Sequence, residues 1–268
     1  MGASRHKKGR FLTQHPFCCF CGGTKPTASI DHVPSRACFL GRHGPDTFEF
    51  PACDDCQNAT RKDEIAFSFM VRVVDFNRDN YDQVEIQKAI AGMANNLGHL
   101  LPNPYLDGVQ KRRKLTELGL RKPMDMTNED IPMVAMPAAL NVPIRRYSMK
   151  IVSALFYREK GRALPLDYVT VLKWGQLGLP SDRAMLKTFV QITPLLVRGA
   201  RPNLNFGDRF GYRCNKAEDP DVFAAAIQFG KGLFILAMIA PLDFAMQTIA
   251  TEAWRPVSEE LAIVAGQR

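Results

Sequence analysis

Two Cys-x-x-Cys pairs constrain this chain more than any other feature: Cys18 and Cys21 in "FCCFCGG", and Cys53 and Cys56 in "PACDDCQNATRKDE". Thiols two residues apart let one tight turn present both sulfurs to a tetrahedral ion. Two such turns complete a structural zinc site of four thiolates. Gly22 and Gly23, directly after Cys21, permit the sharp reversal that the first turn needs. The alternatives are two unrelated pairs of buried cysteines or a thioredoxin-like redox motif, but a redox disulfide needs only one pair. Seven cysteines, an odd number, argue for metal binding in a reducing compartment over a disulfide framework. Cys19, Cys38 and Cys214 fit neither pair and read as small core residues.

A chain of 268 residues with 46% hydrophobic and 23% charged residues can bury a real core, as one large domain or as a small domain attached to a larger one. The formal charge of +8 suits a polyanionic partner, nucleic acid above all. Basic residues cluster at Arg5, His6, Lys7, Lys8 and Arg10 and again at Lys111, Arg112, Arg113 and Lys114; each cluster also reads as an ordinary solvated face. Met1 is followed by polar and basic residues, so no secretory signal is expected. The most apolar run, Gly232 to Ala240, falls far short of the roughly 18 to 20 residues that span a bilayer. The expectation is a cytoplasmic protein with no membrane partner.

Punctuation divides the chain into a flexible basic tail (1–14), a compact zinc unit (15–75), a helical connector (76–140) and a C-terminal α+β domain of unknown role (141–268). Glycines and prolines predict short strands and loops in the zinc unit. Ala66, Phe69, Met70 and Val73 then recur at helical spacing and close it with a helix. Residues 82–101 and 108–120 read as helices, and a Pro- and Met-rich connector runs from Lys122 to Asn141. The next helix has Asn141 as its cap, Pro143 in its first turn and Gly161 at its end. Ile144, Tyr147, Ile151, Leu155 and Phe156 line one face, and Arg145, Arg146 and Lys150 are assigned to the other. Near the C-terminus "RFGYRC", "DVFAAAIQF" and "LFILAMIA" read as an antiparallel three-stranded meander. The fold class expected is therefore α+β.

Between the cysteine pairs lies "SIDHVPSR", with Asp31 and His32 side by side. Alone, an Asp-His pair reads as a structural histidine. A zinc knuckle, then Asp-His, then a second knuckle opening a helix with "CQNATRKDE" resembles the HNH endonuclease family over residues 16–66. "MKIVSALFYREKGRALP" and the closing meander are similar, less specifically, to the C-terminal region of a bacterial branch of that family. The resemblance implies a ββα-metal treble clef and a nuclease that hydrolyses DNA with one divalent ion, Mg²⁺ or Mn²⁺. It implies Asp31 as a carboxylate ligand, an amide oxygen from the helix start as another, and His32 as general base on the attacking water. Arg36 or Arg61 would hold the phosphate.

In the family an asparagine follows the last zinc cysteine, whereas this chain has Gln57 there and Asn58 next. Either supplies the amide oxygen, and Asp63 or Glu64 offers an additional one. The family's asparagine before the second knuckle is also absent, with Thr47, Phe48 and Glu49 in its place. Two further readings stay open. One is a weak or inactive zinc-binding module for nucleic acid or protein. The other is a nuclease subunit of a multi-protein defence or mobile-element system, with a protein partner or second copy on the C-terminal domain. Neighbouring strand residues point to opposite faces. Asp31 and His32 therefore share one site only if the strand twists or ends at Pro34.

Overall fold

Short, punctuated sequence gives short elements in the first quarter of the chain. The computed structural model describes residues 2–74, 83–102, 106–122, 124–131, 133, 135–192, 204–206, 209–248 and 254–262. Helix α1 (Gly2–Gln14) leads into the first cysteine turn. Strands β1 (Ser29–His32) and β2 (Glu49–Ala52) pair antiparallel, with Asp31 opposite Phe50 and His32 opposite Glu49. Helix α2 (Asp54–Ala59) starts directly after Cys53, and α3 (Arg61–Val74) follows with one apolar face. Helices α4 (Gln83–Leu97) and α5 (Gly108–Glu117) match the two helices expected in the connector.

Helix α1 corrects the expectation of a flexible tail. Its residues are polar nearly all round, and a helix without an apolar face carries no periodic signal. What holds it is mostly contact with distant parts of the chain. The His15 Nδ1 atom lies 2.8 Å from the Tyr157 hydroxyl, the Phe11 ring packs on His15, and Lys7 Nζ reaches Glu49 at 2.8 Å.

Helix α6 (Asn141–Lys160) starts at Asn141 with Leu140 in the cap position, so Asn141 is its first residue and not its cap. It ends as expected at Gly161, whose φ of 72° is left-handed and cheap only for glycine. The expected polar face is not solvated: Arg145 pairs with Glu260, Arg146 with Asp63, and Lys150 is buried.

Beyond α6 lie β3 (Tyr168–Gln176), α7 (Pro180–Ile192), β4 (Leu204–Phe206), β5 (Phe210–Lys216), β6 (Phe223–Phe229), β7 (Leu233–Pro241), α8 (Leu242–Thr248), β8 (Arg255–Pro256) and α9 (Val257–Ala262). The strands form one antiparallel sheet in the order β4-β5-β6-β7-β3-β8. The expected meander is its β5-β6-β7 portion. Strand β3 was not anticipated from the sequence; it pairs with β7 across the intervening α7 and β4–β6, with Trp174 opposite Ile235.

Strand β7 is apolar without alternation because both faces of the sheet are covered. Leu233, Ile235, Ala237 and Ile239 enter the main core, while Phe234, Leu236, Met238 and Ala240 pack with Phe189 and Val222 on the other side. The main core is continuous from the cysteine turns to the sheet. Phe48 meets Phe210 edge-on at 5.7 Å, Phe67 meets Phe229 at 5.2 Å, and Phe67 also touches Tyr147 at 5.0 Å. The described residues of the zinc unit and of the C-terminal part thus share one interior. No described helix is long and apolar enough to cross a membrane.

This sharing has a stability consequence. Ile235 is fully buried, so Ile235→Asp places an unpaired charge in the common core. Near-UV circular dichroism of the variant should show loss of tertiary packing throughout the chain. A soluble variant with the wild-type spectrum would disprove this placement of β7.

Candidate functional site

The two cysteine turns come together. Gly23 N–H donates to Cys18 O at 3.1 Å and Cys18 N–H to Lys25 O at 2.9 Å, which closes the first turn. Cys53 caps α2 and Cys56 lies in its opening turn. The four sulfurs of Cys18, Cys21, Cys53 and Cys56 all lie within 4.8 Å of one another. A tetrahedral zinc with bonds of about 2.3 Å needs sulfurs about 3.8 Å apart, so the cluster can hold a structural metal such as zinc. The thiols crowd one another: hydrogen bonding with Cys21 pushes Cys18 up to about 12, while Cys21 is driven far down by Cys18. Cys19, Cys38 and Cys214 are buried and unbridged, as expected.

The β1 strand alternates, and its two faces differ. Ser29 and Asp31 face inward toward α2, α3 and α6, and His32 faces outward. Asp31 is buried, and its Oδ2 lies 2.7 Å from Lys150 Nζ. Lys150 also donates to Thr60 Oγ1 at 2.7 Å, and its side chain is only 2% exposed. Next to this pair, Arg146 donates to Asp63 Oδ1 at 2.7 Å. Burial outweighs Arg146 and raises the Asp63 carboxyl to about 6. One turn of α6 therefore supplies the cations for both inward carboxylates. Tyr147, in that same turn, takes the Ser35 N–H on its hydroxyl at 2.9 Å, and Ser35 Oγ donates to Glu64 at 2.5 Å.

His32 lies on the outer face in an open polar cleft with Arg36, Asp46, Thr47 and Glu49. Arg36 Nη2 is 2.8 Å from His32 Nε2. A guanidinium only donates, so Nε2 carries the lone pair and the ring is neutral with its proton on Nδ1. Partial burial, with Arg36 assisting, holds the imidazole below its ordinary value of 6.5. Glu49 Oε1 lies 3.6 Å from the same nitrogen and is bridged to α1 by Lys7. Thr47 has a φ of 65°, a strained value for a β-branched residue. Arg158 holds that turn by donating to Thr47 O at 3.2 Å and lying over the Phe48 ring.

Most of the expected metal ligands have other partners. Asp31 is engaged by Lys150, the Gln57 Oε1 accepts from Ser29 Oγ at 2.9 Å, and Asn58 is exposed. Asp63 and Glu64 have partners of their own, on α6 and the loop after β1. Arg61 is exposed at the start of α3. The residues present therefore do not fit a divalent ion at Asp31. Of the expected set, the cleft gathers only His32 and Arg36.

Sequence reasoning missed Lys150, Thr60, Arg146 and Tyr147. A signal existed: Lys150 interrupts the apolar run "MKIVSALF", and a charge inside such a run implies a buried partner. The second basic cluster is largely satisfied internally. Lys111 donates to Glu129 O, and Arg113 and Lys114 both pair with Glu117. Set against family models, curated proteins and solved structures, the chain matches none of them.

Asp63 makes stability depend on pH. Its folded value of about 6 exceeds the ordinary 3.8, so the folded state binds this proton more tightly than the unfolded one. The group's contribution is fully present below pH 3.8 and is lost as pH rises through about 6. Urea midpoints measured from pH 4 to 7 should fall more steeply for wild type than for Asp63→Asn. Parallel curves would contradict the burial argument.

Proposed function

We propose that the protein is a zinc-stabilised nuclease of the HNH type that hydrolyses DNA phosphodiester bonds, with His32 as the proton acceptor. The observation that carries this reading is the His32 imidazole on an open cleft with the Arg36 guanidinium 2.8 Å from its Nε2. Arg36 is exposed, and a phosphate oxygen is a stronger acceptor for it than an imidazole nitrogen. When Arg36 turns to the phosphate, Nε2 is free to take a proton from the attacking water. The order of cysteine turn, β1–β2 hairpin and helix after the second cysteine pair supports the ββα-metal treble clef. We assign zinc to the four-cysteine cluster and the basic surface, including the Lys8 and Arg10 region of α1, to the DNA backbone.

A second reading, a zinc-binding module that grips nucleic acid without cutting it, is favoured by one observation. Asp31 and His32 lie on opposite faces of β1, so the acid does not share the cleft with the base.

Elemental analysis of the dialysed protein should return about one zinc per chain, held in the four-thiolate cluster. Cys56→Ser should lose both the metal and the fold, and a metal-free protein that stays folded would remove zinc from the account. Plasmid nicking, assayed with Mg²⁺, with Mn²⁺ and with chelator, then separates the two functional readings. The nuclease predicts that His32→Ala lowers the rate by at least about a hundredfold, with duplex affinity kept. It also predicts an acid limb with a midpoint below 6.5, because His32 must be neutral. Equal rates for wild type and His32→Ala would end the nuclease assignment. DNA binding without cleavage, weakened by Arg36→Ala, would establish the module.

A further inference from the structure

We propose that the Lys150 ammonium is a built-in replacement for a divalent cation. It engages Asp31, the carboxylate expected to hold an ion, so the chain takes up no Mg²⁺ or Mn²⁺ at Asp31. The inference borrows from the nuclease reading only the identity of Asp31 as the expected ligand.

The ammonium is held by oxygens and by ring faces. Nζ lies 2.7 Å from Asp31 Oδ2 and 2.7 Å from Thr60 Oγ1, and the Phe20 and Tyr147 rings stand 5.1 and 5.8 Å away. Two oxygens and two ring faces suit a monovalent cation with three N–H donors. Mg²⁺ instead asks for octahedral oxygen at about 2.0–2.1 Å and keeps several of its waters. Asp31 and Lys150 are both buried, so a hydrated ion there would have to bring its waters into the interior.

Charge balance points the same way. Two buried carboxylates, Asp31 and Asp63, each face a cation of α6, Lys150 and Arg146, and the half-buried Glu64 lies beside them on Ser35. A dication added beside Lys150 would put positive charge against positive charge in the interior, which is costly unless Lys150 leaves. Lys150 sits in the buried middle of α6, between Met149 and Ile151, with its side chain 2% exposed. The gain is permanence: a tethered cation orders β1 against α3 and α6 at any metal concentration.

Mn²⁺ is the probe, titrated against the zinc-loaded full chain and followed by the electron paramagnetic resonance of the free ion. Wild type and Asp31→Asn should give superimposable curves. Lys150→Ala should gain a site at least about tenfold tighter than any in wild type, and Lys150→Ala combined with Asp31→Asn should lose it. A wild-type Mn²⁺ site that disappears in Asp31→Asn overturns the proposal. So does a Lys150→Ala protein with the wild-type near-UV spectrum and no added site. Where Lys150→Ala does not fold, nitrogen-15 NMR of wild type decides. The Lys150 ammonium should give a slowly exchanging signal that excess Mg²⁺ leaves unchanged, and its loss or displacement by Mg²⁺ overturns the proposal. Nicking is scored separately, so a wild type that never cuts DNA leaves this result standing, and a failed metal titration leaves the nuclease assay open.

Discussion

A lysine in the middle of a buried helix has to bring its own counter-charge into the interior or fail to be buried. Lys150 does so with Asp31 at 2.7 Å, and Arg146, one turn earlier, does so with Asp63. Such pairs contribute little net stability over apolar packing, because desolvation offsets most of the attraction. Their effect is to specify position. Sliding α6 by one turn would strand two buried carboxylates, and Tyr147 would lose the Ser35 N–H as well. The register of α6 against β1 and α3 is therefore fixed, and with it the place of every residue on the β1–β2 hairpin.

The outer face of that hairpin inherits its geometry from the inner one. Strand alternation puts His32 opposite in direction to Asp31, so the anchoring of one aims the other. The cleft is then framed from three sides: Arg36 from the turn after β1, Glu49 from β2 with Lys7 of α1 behind it, and Thr47 held by Arg158 of α6. A helix of the C-terminal half thus contributes to both faces. The aromatic contacts of Phe48 with Phe210 and Phe67 with Phe229 make the same connection through the apolar core. The hairpin is not an appendage to the sheet but part of one interior.

What could be read in advance was whatever depends on neighbours in sequence. The cysteine spacing announced the four-sulfur cluster, Gly161 announced the end of α6, and turn residues between apolar runs announced β5, β6 and β7. Helix α1 carried no such signal, because its stability comes from His15 on Tyr157 and Lys7 on Glu49, both distant in the chain. Strand β3 was overlooked for a related reason: its partner β7 lies far along the chain, and pairing is decided by packing.

The sequence by itself determined an α+β chain, the metal-competent cluster, the adjacency of Asp31 and His32, and a basic balance suited to polyanions. Only the tertiary structure decided what that adjacency means. A helical wheel assigns Arg145, Arg146 and Lys150 to solvent because it has no knowledge of what lies opposite. In the folded protein Glu260, Asp63 and Asp31 lie there. Charge is buried where a partner of opposite sign is brought to it, and bringing partners together from residues 31 and 150 is the work of the whole fold.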